Sequence, residues 1–311
     1  MAHLAAMRIF GRMRGGGRSA GPPAPFIVGV ARSGTTLLRL MLDAHPELAI
    51  PPETHFIPKV IKACEEGGDP HDRVFELLTT HRRWPDYRLD AAELRTRLDR
   101  IEPLSAGDAL RAFYGLYAER QGKPRWGDKS PSYVRRMRRV ESALPEAHFI
   151  HLVRDGRDVA LSQVEVDFGP DQIADAARDW VEGIGKAHRQ ARRLPHYLEL
   201  RYEDLVADPE PLVRRVCEFV ELPWDPAMLE YHRGAGERMA EVTRDFERGG
   251  GPAIPAAVRA GRHTRVAEPP QRARAGRWRT DMSAADRETF ERIAGELLSE
   301  LGYEVGEPAQ R

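Results

Sequence analysis

Apolar residues along this chain fall into two alternating patterns. Short unbroken runs at Phe26-Ile27-Val28-Gly29-Val30, Phe149-Ile150-His151-Leu152-Val153 and Tyr197-Leu198-Glu199-Leu200 predict strands, the first of them a buried parallel strand. Between and after them the spacing turns helical. A small-residue loop, Ala31 to Thr36, leads into a helix carrying Leu37, Leu38, Leu40 and Met41 that ends near His45-Pro46. Ala177, Trp180, Ile184 and Ala187 share one helical face. Asp208-Pro209 reads as an N-cap followed by proline at the first helical position, with Leu212, Val213, Val216, Cys217 and Val220 behind it. Near the C-terminus, Ser283 with Asp286 three residues on opens a helix whose stripe is Phe290, Ile293, Ala294, Leu297, Leu298 and Leu301. Strands alternating with helices predict an α/β fold of three layers, a central parallel sheet flanked by helices.

Two stretches break the alternation. Residues 53–120 are mostly helical with no clear strand and read as an insertion over the sheet. Residues 233–280 are rich in Gly, Pro and Arg, with 11 arginines against 5 acids, and a long irregular segment of that charge suits a lid over an anionic ligand. The expected organisation is a single domain over 25–305, preceded by a disordered basic tail over 1–24 that holds Arg8, Arg12, Arg14 and Arg18 and no acid.

Composition narrows the function classes. The 311 residues carry 48 basic and 48 acidic side chains, a balance that excludes a dedicated nucleic-acid binder. Only five of the basic residues are lysines (Lys59, Lys62, Lys123, Lys129, Lys186), so a site that needs an ammonium draws on those five. Two cysteines, Cys64 and Cys217, supply neither a disulfide framework nor a cysteine-based zinc site. No apolar run approaches the ~20 residues of a membrane span, and the N-terminal stretch lacks the apolar centre of a signal peptide. A cytoplasmic location is the expectation.

The chemistry starts after the first strand. Gly29-Val30-Ala31-Arg32-Ser33-Gly34-Thr35-Thr36 has the strand–loop–helix layout that turns free backbone N–H groups and a helix dipole toward an anion. It is P-loop-like, but Thr35 stands where a nucleoside triphosphate enzyme keeps its lysine, and the nearby cation is Arg32. An ordinary βα turn and a small-molecule kinase using ATP and Mg²⁺ are the competing readings at this point.

Pro25 to Pro58, around the core Arg32-Ser33-Gly34-Thr35-Thr36-Leu37, resembles the 5′-phosphosulfate loop of sulfotransferases that use 3′-phosphoadenosine-5′-phosphosulfate (PAPS). Met41-Leu42-Asp43-Ala44-His45-Pro46, Glu53-Thr54 and Ile57-Pro58 make it similar to tyrosylprotein sulfotransferases and related bacterial enzymes. The resemblance implies that Arg32 and the loop from Ser33 through Gly34 and Thr35 to Thr36 hold the 5′-phosphate and sulfonate, with Glu53 as general base. His151-Leu152-Val153-Arg154-Asp155-Gly156-Arg157-Asp158-Val159-Ala160-Leu161-Ser162 resembles the 3′-phosphate motif, an Arg followed eight positions later by a Ser. It implies that Arg154 and Ser162 bind that phosphate. Trp126 to Pro131 resembles the segment with the catalytic lysine, here Lys129. Arg201 to Leu205 resembles the segment whose tyrosine, here Tyr202, lies by the adenine. Gly276-Arg277-Trp278-Arg279 resembles the late motif that closes on the 3′-phosphate, which assigns Arg277 and Trp278 to the nucleotide site. The run Arg135, Arg136, Arg138 and Arg139 reads as a solvated helix face rather than a substrate groove.

The resemblance covers about residues 24–305, with gaps at 66–120 and 233–270. Pro52 stands where tyrosylprotein sulfotransferases carry an acid, and His55 where they carry an arginine. Both positions lie by the acceptor. The function implied is transfer of a sulfonate from PAPS to a hydroxyl of a small molecule, lipid, glycan or peptide, without a metal. His55 is the rival base, and a non-catalytic nucleotide-binding scaffold is the remaining alternative.

Overall fold

The computed structural model describes residues 21–165, 170–239, 246–248, 251–254 and 268–306. A four-stranded parallel sheet forms its centre, built from β1 (Ala24–Val28), β4 (Asp128–Lys129), β5 (Ala147–Val153) and β6 (Tyr197–Arg201) in the order β4-β1-β5-β6. Register is set along β1, where Phe26 pairs with both Asp128 and Phe149 and Val28 with His151. Every residue of β1 and β5 is buried, as a strand covered on both faces requires. Alternate side chains then serve different layers. Phe26, Val28, Phe149 and Tyr197 join one core; Ile27, Ile150, Leu152, Leu198 and Leu200 join the other.

The first core is closed by helices from the predicted insertion: α2 (Ile57–Glu65), α3 (His71–Thr79), α4 (Trp84–Tyr87), α5 (Ala91–Asp99) and α6 (Ala106–Arg120), together with α7 (Met137–Ala143). The second is closed by α1 (Thr35–Asp43), α10 (Tyr202–Ala207) and α11 (Pro209–Phe219). A third cluster packs α8 (Gly156–Val164) against α9 (Ile173–Ala191) and the C-terminal helix Ala284–Glu300 around Trp180 and Phe290.

Several expectations shift in detail. The first strand runs from Ala24 to Val28 rather than from Phe26 to Val30, so Ala24 is sheet and not tail. The rest of the expected tail through residue 20 lies outside the described residues, as do parts of 233–280. Within that segment the structure describes α12 (Ala235–Met239), the antiparallel pair β7 (Phe246–Arg248) and β8 (Gly251–Ile254), and α13 (Trp278–Asp281). Pro209 opens α11 as predicted, but the extended Asp208 makes no side-chain cap hydrogen bond. Ser283 does cap, accepting the Asp286 N–H at 3.1 Å. Three two-residue strands were too short to be read from the sequence: β4, and the parallel pair of β2 (Leu48–Ala49) with β3 (Arg125–Trp126). Gly127 sits between β3 and β4, where a Cβ would lie 2.7 Å from the Pro25 carbonyl oxygen; only glycine lets the chain cross β1 so closely.

Candidate active site

The functional residues gather where parallel strands end, the usual crevice of such sheets. Beyond β1 the chain makes a tight loop with left-handed backbone at Arg32 (φ 74°) and Gly34 (φ 90°), then enters α1 at Thr35. Gly34 is the N-cap and gives no side-chain hydrogen bond, so the first-turn amides of α1 have no side-chain cap. Ser33 is fully buried and its Oγ has no hydrogen-bond partner.

Beyond β5 comes Arg154, 6% exposed. Its guanidinium donates to the Arg32 carbonyl at 3.1 Å and the Arg274 carbonyl at 2.7 Å, and it lies 4.6 Å over the Tyr202 ring at the end of β6. Its Nε is buried without a partner. Arg32 Nε donates to Ser162 Oγ at 2.9 Å across 130 residues of sequence. Arg32, Arg154, Ser162 and Tyr202, drawn from three separate segments, thus meet at one place.

Lys129 is the last residue of β4. Its Nζ donates to Glu53 Oε1 at 2.6 Å and to Thr36 Oγ1 at 3.4 Å, which joins the lysine to both the glutamate and the anion loop. The other oxygen of Glu53 shares a 2.8 Å hydrogen bond with His55 Nε2 and accepts from Arg83 at 3.4 Å. His55, held in left-handed backbone at φ 56°, uses Nδ1 on Ser132 Oγ at 3.0 Å. Burial would raise the Glu53 carboxyl, but Lys129, the His55 hydrogen bond and Arg83 together hold it well below the ordinary carboxylate value. For Lys129 burial wins: the ammonium titrates below its usual value despite Glu53.

A buried polar network fixes the two against each other. Thr54 Oγ1 donates to Asp128 Oδ2 at 2.8 Å, and the Tyr114 hydroxyl donates to the same oxygen at 2.9 Å. The Thr54 N–H donates to Ser130 Oγ at 3.0 Å, and the Tyr87 hydroxyl donates to the Glu53 carbonyl at 3.1 Å. The residues flanking Glu53 and Lys129 are therefore bonded directly, so the spacing of that pair is inherited from the sheet.

These are sulfotransferase-like positions, and comparison decides the matter: residues 23–226 match the sulfotransferase family. The chain belongs to that family. Among curated relatives it is 28% identical over 216 residues to a protein-tyrosine sulfotransferase of Drosophila melanogaster, covering 67% of this chain and 40% of that protein. It is 27% identical over 237 residues to protein-tyrosine sulfotransferase 1 of Danio rerio, covering 72% and 61%. The chain thus matches about half the length of these relatives. Among solved structures, a sulfotransferase domain from the Synechococcus PCC 7002 olefin synthase aligns with a TM-score of 0.61 at 27% identity, over 91% of this chain and 96% of that one. The sulfotransferase domain of the curacin biosynthetic pathway shares the fold, with a TM-score of 0.60 at 24% identity over 92% and 99%.

In this family member, two predicted residues sit apart from the Arg154 cluster. Arg277 is engaged with Glu165 at 2.7 Å and Asp281 at 2.9 Å. The Trp278 N–H is held by Asp158 Oδ1 at 2.9 Å, and its indole, 2% exposed, lies against the Arg157 guanidinium, 3.5 Å from the ring centre, with Nε1 buried without a hydrogen-bond partner. The basic run behaves as the solvated face expected, with Arg135 on Glu182 and Arg139 on Glu65 at 2.7 Å. Sequence reasoning missed Arg83, Ser132 and the Thr54–Asp128–Tyr114 network. Asp128 stands directly before Lys129, a signal that was visible but unread. Among the described residues, His151, His188 and Glu199 form one group with metal-ligand chemistry. The hydrogen bonds that join them through Glu199 Oε2 are 2.7 and 3.2 Å, shorter than the ~3.3 Å between ligand atoms on a tetrahedral zinc, and Tyr197 completes the set at 2.8 Å. That group is a hydrogen-bonded knot between β5, β6 and α9, with His151 Nε2 left buried without a partner.

Proposed function

We propose that this chain transfers a sulfonate from PAPS to an acceptor hydroxyl. The reading is carried by the meeting of the Glu53–Lys129 pair with the Arg32–Ser162–Arg154 cluster at the ends of β1, β4 and β5. The residues present fit the nucleotide. Ser33 Oγ and Arg154 Nε are buried polar atoms without partners beside a helix N-terminus, a set suited to phosphate oxygens. Arg32 and the Ser33–Thr36 loop would take the 5′-phosphate and sulfonate, Arg154 and Ser162 the 3′-phosphate, and Tyr202 would lie by the adenine.

In the reaction the acceptor oxygen attacks sulfur in line. The bond from sulfur to the bridging oxygen of the 5′-phosphate breaks, and 3′,5′-adenosine bisphosphate leaves with that electron pair. Glu53 takes the acceptor proton. Lys129 stabilises the charge developing on the bridging oxygen. Because Lys129 rests on Glu53, turning to the nucleotide removes the cation that opposes the burial of the carboxylate. The proton affinity of Glu53 then rises as the base is needed. A sulfonate bears one negative charge, and Arg32, Lys129 and the loop amides are sufficient counter-charges, so the reading assigns no metal.

Calorimetric titration with 3′,5′-adenosine bisphosphate in the presence of a chelator is expected to show binding, and Arg154→Ala to remove most of it. Absence of binding, or binding that demands Mg²⁺, overturns the assignment. The relatives' names point to protein tyrosines, while Pro52 and His55 change the acceptor side. A screen of tyrosine peptides, hydroxylated metabolites, lipids and glycans, read as gain of one sulfonate, assigns the acceptor class.

A further inference from the structure

One buried carboxylate outside the assigned residues ties two parts of the nucleotide face together. Asp158 lies in the first turn of α8, 1% exposed, between Arg154 and Ser162 in sequence. Its Oδ2 accepts the Gly276 N–H at 2.7 Å and its Oδ1 the Trp278 N–H at 2.9 Å. The same Oδ2 stands 3.5 Å from Arg154 Nη2, which itself donates to the Arg274 carbonyl at 2.7 Å. A carboxylate so thoroughly removed from water persists only where such partners replace its hydration. The late segment is therefore fastened to the strand-end arginine and the following helix at three backbone points: Arg274, Gly276 and Trp278.

Arg277 is carried between the two amides that Asp158 holds. Its guanidinium lies on Glu165 at 2.7 Å. Asp158, Ser162 and Glu165 recur at four- and three-residue intervals, so they share one face of α8. The clamp thus lays Arg277 along the face that presents Ser162.

We propose that Asp158 is a positioning residue for the nucleotide: it pins the Gly276–Trp278 backbone to α8 and so aims Arg277 at the 3′-phosphate, which replaces Glu165 as its anion. The proposal rests on the nucleotide reading above. Its logic is stereochemical. A carboxylate offers both oxygens to two amides; an asparagine offers one and turns an NH₂ on the other N–H. Asp158→Asn keeps the shape and breaks the clamp.

The test is calorimetric titration of the full chain with 3′,5′-adenosine bisphosphate and, in parallel, with adenosine 5′-phosphate. Asp158→Asn is expected to weaken the bisphosphate about tenfold, the equivalent of one hydrogen bond to a charged group. It is expected to leave adenosine 5′-phosphate nearly unchanged. In an Arg277→Ala background the same substitution is expected to weaken the bisphosphate by less than about twofold, because its effect runs through Arg277. Asp158→Glu, which keeps the charge but lengthens the arm, is expected to act in the same direction and serves if Asp158→Asn folds poorly. Equal losses for both nucleotides, the same tenfold loss without Arg277, or no loss at all would each overturn the clamp. Those results leave the nucleotide reading standing as long as Arg154→Ala abolishes binding. A wild-type chain that binds no bisphosphate overturns both.

Discussion

Substituting Gly34 by alanine tests how the anion loop is built. At φ 90° an alanine sits in left-handed backbone, which costs roughly 1–2 kcal/mol for an L-residue. Its Cβ would also stand 2.3 and 2.5 Å from Cδ2 and Cε2 of the Tyr202 ring. Restoring ordinary contact moves the ring by about 1 Å, and overpacking of this kind costs roughly 1–3 kcal/mol. Together Gly34→Ala is expected to cost about 2–5 kcal/mol, a fall in melting temperature of at least ~3 °C for a chain of this size. Because Arg154 lies over the same ring at 4.6 Å, the substitution is also expected to weaken 3′,5′-adenosine bisphosphate at least about tenfold. The decisive assay is a double-mutant cycle by urea denaturation. With Tyr202→Ala already in place the clash has no partner, so Gly34→Ala should cost only its backbone share of ~1–2 kcal/mol, a coupling of ~1–3 kcal/mol. Strictly additive costs would refute the argument, since they would mean that the Tyr202 ring is not the wall of the loop.

Glu53→Gln is expected to lower turnover by ~10²–10⁴-fold while bisphosphate affinity holds or improves, because Lys129 is no longer held by a carboxylate 2.6 Å away. Parallel losses of turnover and affinity would count against a base role. A pH effect on stability is expected from His148, which burial and the neighbouring His196, stacked 3.8 Å away, push down to about 4. The unfolded chain takes up this proton near pH ~6.5. The stability contributed by the neutral buried ring is therefore full above that pH and is lost as pH falls toward 4, by up to roughly 3 kcal/mol. Urea midpoints of His148→Asn should decline less than those of the wild type over this window; parallel curves would contradict the assignment.

What the chain disclosed before folding follows from the length over which each signal acts. β1 and β5 are buried on both sides, and β6 keeps Tyr197, Leu198 and Leu200 buried, so their apolar positions are legible. The anion loop and the Arg154–Ser162 helix are local in sequence and could be read as motifs. β4 could not: Asp128 and Lys129 are charged, and they are a strand only because they pair with Phe26 and Ile27. Arg83 and Tyr87 reach Glu53 across some thirty residues of helix and loop, a proximity that tertiary packing creates and no spacing rule announces. Trp278 could be read as a motif residue, but the Arg157 guanidinium over its ring comes from a distant part of the chain that no spacing rule announces.

The Thr54–Asp128 bond also sets where evolution or an engineer is free to cut. Glu53 is registered from two sides: its neighbour Thr54 bonds the sheet edge, and Arg83 and Tyr87 of the helical insertion bond Glu53 itself. Another helical cap in place of the α2–α6 insertion keeps Glu53 in register only where it replaces those contacts. The graft must bring two phenols, one to meet the Glu53 carbonyl as Tyr87 does and one to meet Asp128 as Tyr114 does, and a guanidinium to meet the Glu53 carboxylate as Arg83 does.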